Sequence, residues 1–127
     1  MIAKTTIKRI SPMLSVADME ITTSFYCEVL LFDIVLASPN YTIVGRDGMS
    51  VHLHGPTPED IMHDIRGHVE IYIEVDDIET LWEHVKSYNG RFRIRDLFDR
   101  DYGMTEFHIA DPDDCLVFIG QVTQPKS

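Results

Sequence analysis

Hydrophobic and polar residues alternate along much of this chain, and a helix-like spacing interrupts the alternation. Residues 68–75 and 104–110 alternate position by position, as strands with one buried face do. Between these runs, apolar residues recur three or four positions apart: Ile78, Leu81, Trp82, Val85 and Tyr88. Such a stripe is typical of an amphipathic helix. The pattern therefore predicts strands that pack beneath amphipathic helices.

The predicted elements occur twice. The segments Val16–Glu20 and Val75–Glu79 are similar, lie 59 positions apart and each follow a strand-like run. Each begins a predicted helix that three further strands follow. Self-similarity at a fixed spacing indicates a repeated structural unit. We therefore predict one domain over 1–127 with two strand–helix–three-strand modules, at about 8–55 and about 67–122.

Local signals predict how several elements begin and turn. Asp18 is the expected N-cap of the first helix, whose apolar stripe would be Ile21, Phe25 and Val29. Asp76 and Glu79 have the spacing of a capping box for the second helix. Asp-Gly at 47–48 predicts a tight hairpin, and Gly55–Pro58 a link between the modules.

Each predicted strand has one apolar face and one mixed face. The apolar faces would pack under the helices. The opposite faces carry polar, histidine and aromatic residues: Ser11, Met13, Ser15, Ser50, His52, His54, Glu70, Tyr72, Glu74, Glu106, His108, Leu116 and Phe118. These faces are either solvated, as is common for antiparallel sheets, or curled around a polar cavity. Glutamate, histidine and aromatic residues at these positions favour a cavity.

Charge and cysteine content exclude some functions. The net charge of −10 would repel nucleic acid and anionic membranes, so neither is an expected partner. The sequence has no signal peptide and no apolar run long enough to cross a bilayer. Cys27 and Cys115 form neither a disulfide framework nor a zinc motif. These features are typical of a reduced, cytoplasmic protein.

Several motifs resemble the vicinal oxygen chelate superfamily, which includes glyoxalase I, bleomycin resistance proteins and extradiol dioxygenases. They are residues 12–19, 24–26, 30–32, 46–48, 72–77, 102–107 and 111–113. The likeness covers most of the chain and is strongest to the bleomycin-resistance-like branch. Leu31 stands where that family usually has Gly, and Asp114-Cys115 where it usually has Gly-Asn. The resemblance implies an α+β fold of two βαβββ modules, whose curled mixed sheets form the clefts of a homodimer.

The resemblance also gives four positions at which metal-dependent members hold an ion. They correspond to Ser11, His52, Glu70 and Phe118, where the usual residues are His or Glu. Only His52 and Glu70 are suitable ligands, whereas a catalytic site normally uses three. We therefore expect no cofactor. The alternative is a divalent metal held by His52, Glu70 and a third histidine, His54 or His108.

The function that these observations favour is capture of a small cationic or amphipathic, antibiotic-like molecule without chemical change. The expected ligand-binding residues are His52, Glu70, Tyr72, Glu74, Tyr102, Glu106, His108 and Phe118. The glutamates would supply negative potential, the aromatic rings stacking and cation–π contacts, and the histidines hydrogen bonds. Two enzymatic alternatives stay open. One is a metal-dependent lyase, isomerase or dioxygenase, and the other a cofactor-free catalyst with Glu70 or Glu106 as general base.

Overall fold

The computed structural model describes residues 3–125. Helix α1 spans Met19–Ser24 and continues as a π-helical turn, Phe25–Val29; α2 spans Glu59–Ile65; α3 spans Ile78–Val85 and ends in a 3₁₀ turn, Lys86–Tyr88. The strands are β1 (Met13–Ser15), β2 (Asp33–Ala37), β3 (Tyr41–Arg46), β4 (Met49–His54), β5 (Glu70–Glu74), β6 (Ile94–Asp99), β7 (Met104–Ala110) and β8 (Leu116–Val122). Over the described residues, no helix is long and apolar enough to cross a membrane.

The strands form two four-stranded mixed sheets with the same topology. The first has the order β1-β4-β3-β2 and the second β5-β8-β7-β6. In each sheet the first strand pairs in parallel with the last, and the remaining pairs are antiparallel. Met13 lies opposite His52 in the first sheet, as Tyr72 lies opposite Phe118 in the second. The predicted α+β class and the paired βαβββ units are confirmed.

Burial follows the predicted alternation on β4, β5 and most of β8. Strand β2 is exposed on both faces, and the last five residues of β7 are buried on both faces. The apolar face of each sheet packs into one core beneath the helices, with Leu53, Phe107 and Val117 fully buried. On α1 the predicted stripe is partly wrong, because Ile21 is 57% exposed. Thr22 points inward instead, where its hydroxyl donates a 2.6 Å hydrogen bond to Asp113.

The helix caps show one confirmed and one incorrect prediction. Asp18 caps α1 by accepting a hydrogen bond from the Ile21 N–H. The α3 cap is Asp77 rather than Asp76: its carboxylate accepts from both the N–H and the hydroxyl of Thr80. Two consecutive aspartates fit the sequence pattern equally well, and only the backbone conformation selects between them.

Buried carboxylates join the two modules. The turn between β7 and β8, in the second module, lies against α1 of the first. Asp113 accepts hydrogen bonds from the Ala17 N–H and the Thr22 hydroxyl, while Asp111 accepts a 2.8 Å bond from the Tyr26 hydroxyl. Burial raises the pKa of Asp111 to about 6, although its hydrogen bonds oppose the shift. The two modules are therefore connected by buried hydrogen bonds as well as by an apolar core.

Among residues 3–125, three non-glycine residues adopt left-handed backbone conformations at turns. Asp47 (φ 52°) precedes Gly48 (φ 77°) in the predicted hairpin between β3 and β4. Leu31 has φ 63° and Asp114 has φ 59°, at the two positions where the family resemblance leads one to expect glycine. The left-handed conformation is unfavourable for every residue with a Cβ atom, and the cost is smallest for Asp and Asn.

Candidate ligand site on the second sheet

The outer face of the second sheet carries aromatic and charged side chains around Glu106. Glu106 and His108 project from β7, Tyr72 from β5 and Phe118 from β8. They share a face because each occupies the alternate, outward phase of its strand. Tyr102 reaches the same place from the turn before β7.

Glu106 is 0% exposed and accepts hydrogen bonds from four side chains. The Tyr72 hydroxyl donates to Oε2 at 2.8 Å, and the Tyr102 hydroxyl donates to the same oxygen. On Oε1, His108 Nε2 lies at 2.8 Å and Arg100 Nη1 at 3.3 Å. A carboxylate only accepts, so His108 carries a proton on Nε2. The buried charge is thus fully paired.

These contacts shift the pKa values of the cluster. Burial by itself would raise the pKa of Glu106, but the hydrogen bonds from His108, Tyr102 and Tyr72 outweigh it, and the pKa is lowered. The pKa of Tyr72 is raised, first by burial and then by its bond to Glu106. For Tyr102 the bond to Glu106 is the largest cause of a raised pKa. Glu106 is therefore ionised and both tyrosines are neutral at ordinary pH.

Aromatic rings continue outward from this centre. The ring centroids of His108 and Phe118 are 3.9 Å apart, and Phe118 lies 6.1 Å from Tyr72. Phe98 meets His108 edge to face at 5.2 Å. Both hydrogen-bonded tyrosines remain partly open to solvent, Tyr72 at 46% and Tyr102 at 53% exposure. The result is a partly exposed aromatic surface on a polar base.

Two arginines border this surface. The Arg95 guanidinium lies 3.6 Å from the centre of the Phe98 ring. Arg100 lies 5.2 Å from Phe98 and 4.8 Å from Tyr102, as well as pairing with Glu106. Such contacts fix planar guanidinium groups against rings. They border the β6 side of the site with positive charge.

Gly120 provides the space in which Tyr72 lies. A Cβ atom at this position of β8 would be 1.9 Å from the Tyr72 hydroxyl oxygen. No side chain fits that distance, so the Tyr72 ring crosses the strand only because residue 120 is a glycine.

The predicted ligand-binding residues fall into three groups. Five are brought together in the cluster just described: Tyr72, Tyr102, Glu106, His108 and Phe118. Glu70 and Glu74 flank Tyr72 on β5, and both are exposed. His52 lies on the other sheet, where its Nδ1 is 2.7 Å from the Tyr41 hydroxyl. That these residues contact a ligand stays a prediction.

The comparison with known families agrees with this architecture. The family model described as the Glyoxalase/Bleomycin resistance protein/Dioxygenase superfamily matches residues 6–118. The chain belongs to this superfamily.

Within the superfamily, the similar proteins include bleomycin resistance proteins. That of Geobacillus stearothermophilus is 24% identical over 119 residues, which cover 84% of this chain and 90% of the relative. The crystal structure of a bleomycin resistance determinant encoded on transposon Tn5 matches with a TM-score of 0.75 and 22% identity, covering 93% of this chain and all of that one. A bleomycin-binding protein complexed with bleomycin matches with a TM-score of 0.74 and 22% identity, covering 92% and 100%.

The four positions that correspond to superfamily metal ligands do not fit a metal. The Ser11 hydroxyl lies 2.5 Å from that of Ser50, and the Phe118 ring stacks on His108. Across residues 3–125, no group of three or more His, Cys, Asp or Glu side chains is arranged to hold an ion. Of these four positions, only His52 and Glu70 carry side chains that commonly bind divalent metals.

Four neighbours of the candidate site were not among the predicted ligand-binding residues: Arg95, Phe98, Arg100 and Gly120. A β-bulge lies between Arg95 and Phe98 in the pairing of β6 with β7, so simple alternation does not give the direction of Phe98. A glycine inside an otherwise apolar strand was the available signal for Gly120.

Proposed function

We propose that this protein binds and sequesters a small amphipathic, antibiotic-like molecule on the outer face of its second sheet. The observation that carries the proposal is the partly exposed aromatic surface around Glu106. A flat or cationic group would stack on Tyr72, Tyr102 and Phe118, whose rings are already held in place. The similarity to bleomycin resistance proteins and to the structure of a bleomycin-binding protein complexed with bleomycin supports this ligand class.

A cationic group on the ligand fits the charges of this face. Glu70 and Glu74 are exposed beside Tyr72, and the whole chain carries a net charge of −10. Both rings and carboxylates attract cations, so a positive ligand would approach from the β5 side, opposite the arginines. The ligand would thus be oriented as well as attracted.

The site supports capture rather than catalysis. A general base needs an available lone pair and a pKa near the working pH, whereas Glu106 is hydrogen-bonded by four side chains and its pKa is lowered. Because Ser11 and Phe118 occupy two of the four usual ligand positions, the metal-dependent alternative would have to use His52, Glu70 and a third histidine, His54 or His108. Stoichiometric metal in the purified protein, lost on His52→Ala, would favour that alternative.

We further propose a homodimer in the cytoplasm. Large apolar side chains are exposed on β2 and on the outer sheet faces, and a second copy would cover them: Met13, Ile34, Val35, Leu36, Tyr72 and Val122. In a dimer, the second sheet of one chain would face a sheet of its partner and close the cleft. The two free cysteines are compatible with a reducing compartment.

Calorimetric titration with bleomycin tests the function. We expect saturable binding by the wild type that weakens as salt rises. Tyr72→Ala should weaken binding by about tenfold, because it removes an exposed stacking face. Glu74→Gln should reduce the salt dependence, whereas Glu79→Gln, the same change on α3, should leave both unchanged. Binding that is insensitive to Tyr72→Ala and Tyr102→Ala would contradict the site.

A further inference from the structure

Two tyrosines of the candidate site depend on one buried carboxylate. The hydroxyls of Tyr72 and Tyr102 both donate to the same oxygen, Oε2 of Glu106, although they come from different parts of the module. Glu106 itself has no exposed surface, so a ligand on the outer face would meet the rings and not the carboxylate. This geometry separates the groups that contact the ligand from the group that holds them.

The second carboxylate oxygen of Glu106, Oε1, also has two hydrogen-bond partners. His108 Nε2 and Arg100 Nη1 occupy Oε1, and His108 is stacked on Phe118 at 3.9 Å. Charge-assisted bonds of this kind are stronger and more directional than neutral ones. The carboxylate therefore has little freedom to rotate, and neither have the two hydroxyls bonded to it.

The backbone leaves room for this arrangement at Gly120. The Tyr72 hydroxyl lies over Gly120, where a Cβ would approach within 1.9 Å. Any larger residue would push the Tyr72 hydroxyl away from Glu106. Gly120 and Glu106 lie opposite each other on β8 and β7, so the Tyr72 hydroxyl reaches Glu106 through the space that Gly120 leaves.

We infer that Glu106 is a positioning residue that fixes the Tyr72 and Tyr102 rings as a rigid pair, and that Gly120 makes its bond to Tyr72 possible. The inference rests on the proposed function for the identity of the site as a ligand surface. It gives Glu106 a role distinct from the direct ligand contact that the sequence suggested. Rings fixed before binding lose less conformational entropy when the ligand arrives.

A set of variants distinguishes positioning from direct contact, with bleomycin as the probe in calorimetry. Glu106→Gln should weaken binding by about tenfold when both tyrosines are present. In the Tyr72→Phe/Tyr102→Phe background, which keeps both rings but removes both hydroxyls, it should change binding less than about twofold. Equal losses in the two backgrounds would overturn the inference. Tyr88→Phe, a tyrosine outside the cluster, is the matched control for loss of a hydroxyl.

Gly120→Ala keeps the inference testable if Glu106→Gln does not fold. It should weaken binding by about fivefold or more in the wild type and have no effect in Tyr72→Ala, where the crowded ring is absent. A loss that persists in Tyr72→Ala would show a general distortion of β8 and overturn the role of Gly120.

Fluorine NMR on protein labelled with 3-fluorotyrosine tests the anchor without any ligand. Tyrosine-to-phenylalanine variants assign the five resonances. Glu106→Gln and Gly120→Ala should each shift the Tyr72 resonance, and Glu106→Gln also that of Tyr102, while Tyr88 stays in place. Unchanged Tyr72 and Tyr102 resonances would overturn the anchor. Absence of bleomycin binding would remove the proposed ligand but leave this measurement decisive for the anchor.

Discussion

Asp111 makes stability depend on pH in an unusual direction. Its pKa is about 6 in the folded protein and roughly 3.9 in an unfolded chain, so the folded state holds the proton more tightly. This contribution is fully present below pH 4 and is lost as the pH rises to 6. Two pKa units correspond to about 3 kcal/mol as an upper value. Urea unfolding at a series of pH values should show this loss.

Asp111→Asn is the matching variant. Its amide oxygen still accepts from the N–H groups of Asp113 and Cys115, as Oδ1 does now, and its NH₂ faces the Tyr26 hydroxyl. The variant should have a flatter pH profile between pH 4 and 6. The same slope in wild type and variant would assign the effect to another group.

Leu31 offers a second test at the residue scale. It is an exposed leucine with φ 63°, a conformation that glycine adopts without steric strain. Leu31→Gly should therefore raise the free energy of unfolding by about 0.5–1 kcal/mol, after the greater freedom of glycine in the unfolded chain is included. Leu36→Gly, at a similarly exposed strand position, should lower it. Destabilisation by both changes in denaturant titrations would contradict the strain argument.

Among the elements, α3 tests which aspartate caps a helix. Asp77 accepts two hydrogen bonds from Thr80, whereas the sequence had favoured Asp76. Asp77→Ala should lower the free energy of unfolding by about 1 kcal/mol. Asp76→Ala should change it by less than about 0.5 kcal/mol, as for other exposed sites. The opposite order in chemical denaturation would restore the original assignment.

The elements also show what sequence can and cannot predict. Strand faces such as Phe107 and Ile109 were predictable, because alternation with period two is encoded by neighbouring residues. The bulge in β6 was not, because it depends on the pairing with β7. The contact between Tyr72 and Glu106 was not predictable for the same reason, because these residues lie 34 positions apart in the sequence. Alternation predicted that both side chains lie on the same face of the sheet, but it did not predict the hydrogen bond between them.

At the scale of the molecule, the exposed apolar residues of β2 lead to a prediction about assembly. Ile34, Val35 and Leu36 are all at least half exposed on an edge strand, which favours association. Sedimentation velocity should give twice the chain mass at micromolar concentration. Val35→Lys should weaken the dimer by about tenfold or more, because it places a charge in the apolar contact. Ile21→Lys, at a similarly exposed position on α1, should leave the dimer unchanged.

A monomer whose mass does not change with concentration would contradict the dimer. The outcome also bears on the cleft, since the second sheet of a lone chain would have an open outer face. Binding of bleomycin by such a monomer would mean that one sheet suffices as the ligand surface.

The two sheets share a topology, but their outer faces carry different side chains. Met13 and His52 are opposite each other in the first half, as Tyr72 and Phe118 are in the second, yet only the second has an aromatic pair there. Each half is encoded by its own stretch of sequence. Substitutions can therefore change the outer-face residues of one sheet while the other sheet, which has the same topology, keeps its own.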